Sequence, residues 1–135
     1  MIKTDPEFIR QFENPRMTGE SFHHADHVRL AFAYLNQYPA LEALQKFCSA
    51  LLGFAAANGK PQLYHETVTY AYFFLIRERM ERQILAEQPA SWEKFSATNP
   101  DLLLWKGGIL SRYYSEGTLQ SEFAKRVFVL PDKIA

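Results

Sequence analysis

Apolar residues recur along this chain with the period of a helix rather than that of a strand. Val28, Ala31, Leu35 and Tyr38 follow one another at three- and four-residue steps, while Asp26, Arg29, Asn36 and Gln37 gather on the other side. The pattern predicts a helix from about Ser21 to Tyr38 with those polar residues on its outer side. A second helix is expected from Pro39, carrying Leu41, Leu44, Phe47, Cys48, Leu51, Leu52 and Ala55, and ending at Asn58-Gly59, a pair suited to a left-handed stop. The third begins after Pro61. Its first half, from Val68 to Ile76, is apolar nearly all round and belongs at the centre of the fold, whereas Arg77-Glu78-Arg79 opens a charged, amphipathic second half that runs to about Glu87, before Pro89.

Shorter elements flank these three. Asp5 caps a helix with Pro6 at its first position, which presents Phe8, Ile9 and Phe12 and closes at Asn14-Pro15. Ser91 caps a helix through Trp92 and Phe95 that stops at Asn99-Pro100, Leu102 to Trp105 makes another turn, and Gly107-Gly108 bends the chain before Ile109 to Tyr114. Thr118 caps a last helix to about Arg126. Val127-Phe128-Val129-Leu130 reads locally as a strand, but no second strand pattern exists to pair with it, so an extended tail laid across the helices is expected. The sum is an all-α fold: a compact bundle of three principal helices with short N- and C-terminal helices and an extended C-terminal tail, in a single domain over 1–135.

Composition narrows the function classes. With 47% hydrophobic and 22% charged residues the chain has apolar mass for a core without covalent staples. Fifteen basic residues balance fifteen acidic ones, which removes the electrostatic basis for nucleic acid or an anionic membrane as partner. Trp105-Lys106 and Arg112-Tyr113-Tyr114 mix aromatic and basic groups, but over too short an extent for a strand-binding surface. The single cysteine, Cys48, suits a reducing compartment. Pro6 and its acidic neighbours stand where a secretory signal needs an apolar core, and the longest uncharged stretch, 47–59, is shorter than the ~18–20 apolar residues of a membrane span. A cytoplasmic protein is the expectation.

The four histidines carry the chemical interest, because all lie at two predicted helix starts. In Phe22-His23-His24-Ala25-Asp26-His27, His23 and His27 are spaced i,i+4 and His24 and His27 i,i+3, and either pair suits chelation on one helical turn. Tyr64-His65-Glu66 opens the third helix. Were the two starts to meet, His23 or His24 with His27, His65 and Glu66 would form a ligand set for a divalent transition metal, zinc or iron. His65 and Glu66 point about 100° apart, so one of them would serve better by orienting an imidazole than by ligation. A metal-free enzyme is a second arrangement, with His27 as acid or base, Glu66 orienting it, and Tyr70 binding substrate on a helix face shared with Arg77. The third is a non-enzymatic interaction or scaffold protein, in which histidines and tyrosines form a structural hydrogen-bond network. In that case the partner is an unknown small molecule, another protein or a second copy, met through the charged half of the third helix along Phe73, Met80 and Ile84 or through the aromatic C-terminal region.

The segments FHHADHVRLAFAYL, YHETVTYAYFFLI and NPDLLLWKGGILSRYY are similar to those of small bacterial all-helical proteins. The resemblance covers most of the chain and implies a helical fold, with no activity attached. The DinB-like metal proteins also gather three imidazoles between helices, but their helix order and histidine placement differ from those here.

Overall fold

The computed structural model describes residues 4–14, 23–88, 91–105 and 108–133. All regular structure among them is helical, as the periodicity predicts, in seven α-helices with short 3-10 turns. The chain divides into two compact units, Met1–Leu63 and Tyr64–Ala135.

The first unit holds α1 (Asp5–Glu13), α2 (His24–Gln37) and α3 (Ala40–Ala57), with α2 packed against both neighbours. Thr4, not Asp5, caps α1: its hydroxyl accepts from the Glu7 N–H. Asp5 is thereby released for another task, an ion pair with Arg29, and it also accepts from Asn36 Nδ2 at 3.1 Å. Arg29 therefore does not join the outer polar face that its spacing suggests. It is buried, with its guanidinium over the rings of Phe8 at 5.2 Å and Phe32 at 5.9 Å. A delocalised cation tolerates such a place because the carboxylate and aromatic faces replace its hydration.

Every position from Val28 to Tyr34 is buried, so α2 is the helix covered on successive positions, the role its sequence suggests for the third long helix. α3 buries one stripe, Ala43, Leu44, Phe47 and Leu51, and ends as expected: Gly59 takes φ +71°, with Gly59 and Lys60 donating back to Ala56 and Ala55 in the double hydrogen bond of a left-handed stop. By length and composition α3 also meets the requirement for crossing a bilayer, with mean hydropathy 1.2 over 18 residues.

In the second unit α4 (Glu66–Leu85) is the spine, followed by α5 (Trp92–Thr98), two 3-10 turns, α6 (Glu116–Leu119) and α7 (Glu122–Arg126). Tyr72, Phe73 and Ile76 form the buried stripe of α4, while Phe74 is 40% exposed, so the helix is not apolar-facing all round. The single expected C-terminal helix is two short ones, each with a serine cap: Ser115 accepts from Thr118 N–H and Ser121 from Ala124 N–H. Thr118 is thus inside the first rather than at the start of the second. Arg79 ties α4 to the segment after α5 by a two-pronged bond to Asp101 at 2.8 and 3.0 Å and a third to Asn99 at 2.9 Å. Gly108 is a close approach: a Cβ there would meet the Leu104 carbonyl at 2.7 Å and the Tyr72 hydroxyl at 2.8 Å. Its neighbour Gly107 lies outside the described residues, as do Ser21 and Phe22 at the expected start of α2. After Arg126 the chain has no regular structure through Lys133, beginning with Val127 in extended backbone, in place of a strand.

Candidate functional site

The start of α2 holds three histidines in three settings. His23 is the N-cap residue, exposed and extended, and its N–H donates to Asp26 Oδ2 at 2.9 Å. Asp26 is thereby spent on the helix start, where a carboxylate also favours the positive end of the helix dipole. His24 and His27 are the pair brought together, with ring centroids 6.4 Å apart. Burial, and secondarily the charge of His24, pushes His27 down to about 4, so it is a neutral imidazole at physiological pH.

The start of α4 uses its histidine differently. His65 is the N-cap, and its Nδ1 accepts from the Val68 N–H at 3.1 Å. That bond leaves the proton on Nε2, which lies 2.6 Å from the Leu119 carbonyl and donates to it. Both ring nitrogens are occupied by backbone groups, one on α4's own first turn and the other on the last residue of α6. Glu66 Oε1 accepts from the Tyr64 hydroxyl at 2.9 Å, and the Tyr70 ring stacks on Phe128 at 5.6 Å. Arg77 is exposed, and it lies eleven residues beyond Glu66, about 16 Å along the axis. Glu66, Tyr70 and Arg77 thus share a helix face, spread along about three turns of it. Among the described residues no three histidine, cysteine, aspartate or glutamate side chains gather as a metal-ligand group.

A further set of polar groups, led by Thr67, which the sequence does not single out, secures the segment after α7. Thr67 is fully buried, and its one hydroxyl donates to the Val127 carbonyl at 2.8 Å while accepting from the Val129 N–H at 3.0 Å. The Tyr114 hydroxyl, also buried, donates to the Val129 carbonyl at 2.7 Å. Asp132 accepts from the Ser115 N–H at 2.9 Å, from the Ser115 hydroxyl at 3.1 Å and from the Thr118 hydroxyl. The Thr118 bond, then the Ser115 amide, hold its carboxyl below the usual carboxylate range. A tail with no strand partner has backbone groups to satisfy, and a lone threonine in the first turn of a helix, which carries no motif, satisfies two of them. In the first unit the Tyr34 hydroxyl donates to Glu13 at 2.8 Å, and burial followed by that bond raises its pKa. Comparison of the chain with known protein families, with curated proteins and with solved structures finds no match.

Proposed function

We propose that this chain is a small non-enzymatic interaction protein whose histidines and tyrosines hold the fold together. The observation that carries this reading is His65, where one nitrogen caps α4, the other binds the Leu119 carbonyl, and no lone pair is left for a metal or a proton-transfer step. Tyr34, Tyr64 and Tyr114 support it, each spending its hydroxyl on a neighbour of the same unit. Elemental analysis of untagged protein purified without chelator tests the reading. The expected result is no stoichiometric metal, together with a folded but less stable His65→Ala variant.

A second reading has a specific observation behind it, the adjacent His24 and His27 rings with His27 neutral, the ligand form of imidazole. Two imidazoles on one turn would contribute half of a tetrahedral zinc or iron site. Near-stoichiometric metal that is lost from folded His24→Ala and His27→Ala proteins would establish that reading in place of the first.

A further inference from the structure

The second half of α4 turns an unpartnered face outward. Phe74, Arg77, Glu81 and Ile84 lie along it at helical spacing, with Phe74 40% and Ile84 54% exposed and both charged residues exposed between them. Neither Arg77 nor Glu81 makes an ion pair among the described residues. Glu78 and Arg82 bridge to each other at 3.5 Å beside the stripe, and Leu85 extends its apolar end. Phe73 and Met80, which the sequence pattern had put on a partner-facing stripe with Ile84, are fully and half buried instead.

Read from Phe74 to Ile84 the stripe runs apolar, basic, acidic, apolar; read backwards it runs apolar, acidic, basic, apolar. An identical stripe laid antiparallel on it about a two-fold axis near residue 79 therefore sets Phe74 against Ile84, Arg77 against Glu81, Glu81 against Arg77 and Ile84 against Phe74. The same stripe laid parallel sets like charge on like. Antiparallel heptad pairing places the residues at these positions in opposing layers, and an isologous two-fold contact requires such self-complementarity.

We propose that the chain self-associates through this face of α4 as an antiparallel two-fold dimer, with a second copy as the occupant. The proposal rests on the non-enzymatic reading in that it names the partner. The contact spans about 16 Å of helix, less than a standard protein interface, so the affinity expected is micromolar or weaker.

Sedimentation equilibrium of the full chain across a wide concentration range is the test, with circular dichroism to confirm that each variant is folded. Arg77→Glu and Glu81→Arg should each weaken self-association at least about tenfold, because each turns two attractive pairs into two repulsive ones. The double exchange should restore it. The decisive arm mixes the two single variants. One now carries only acidic groups at the centre of the stripe and the other only basic groups, so the mixture should form a mixed dimer that neither forms alone. A monomer at all concentrations, or a dimer indifferent to both single exchanges, would overturn the proposal. A charge-sensitive dimer in protein that also holds stoichiometric metal would keep the pairing and remove the non-enzymatic reading.

Discussion

His27 and His65 show how far one residue type diverges with its surroundings. The pKa of His27 in the folded chain, about 4, lies below the ordinary 6.5, so as pH falls the unfolded chain takes up the proton first. Its contribution to stability is complete above pH 6.5 and is lost as pH drops toward 4, by up to about 3 kcal/mol. Urea unfolding across that window should show the decline, and His27→Gln should flatten it; an unchanged slope would mean that another group titrates there. Asp101, held below the usual carboxylate range first by Arg79, loses its contribution only at lower pH, which separates the two effects. His65→Ala removes a cap and a long-range bond and should cost about 2 kcal/mol, whereas His65→Asn should keep the capping share of it. That the histidines sit at helix starts was legible from the sequence. What each does was not, because capping, burial and tautomer depend on partners such as Leu119 that lie 54 residues away.

At the scale of elements, helix existence was readable and helix ends only partly so. Asn58-Gly59 announces the stop of α3, but α4 ends in the same double bond, Glu87 to Ile84 and Gln88 to Gln83, with a glutamate at φ +58° in the left-handed position. A glutamate has a Cβ where that conformation crowds it. Glu87→Gly should therefore raise stability by a few tenths to about 1 kcal/mol, and Gly59→Ala, which meets open space and suffers only the φ penalty, should lower it by about 1 kcal/mol. Thermal unfolding of the pair checks both, and equal signs would contradict the account. The face assignments that failed share one cause. Periodicity finds a helix's apolar side from its own residues, yet Arg29 went inward because Asp5, freed by Thr4's cap, was there to meet it. α4 likewise looks apolar all round until Phe74 proves exposed.

At the scale of the whole molecule, the all-α class followed from the absence of any second strand pattern, and the same absence foretold an unpaired tail. The device that anchors the tail was hidden, since a lone threonine carries no motif. A stop after Arg126 would remove the partners of the Thr67 and Tyr114 hydroxyls and should cost about 2–3 kcal/mol for the two orphaned groups. Hydrogen exchange should then quicken along the first turns of α4. Unchanged protection there would mean that the tail is an ornament to a unit complete without it.

The Thr67 bridge also bears on the order in which the molecule is made. Its two partners stand 60 and 62 residues further along the chain, so this bridge at the beginning of the second unit is among the last bonds that synthesis makes available. The first unit has its three helices by Leu63 and is free to form while translation continues. In the second the bridge is completed only once Val129 has been added, so a product terminated before it leaves the Thr67 hydroxyl without its two backbone partners.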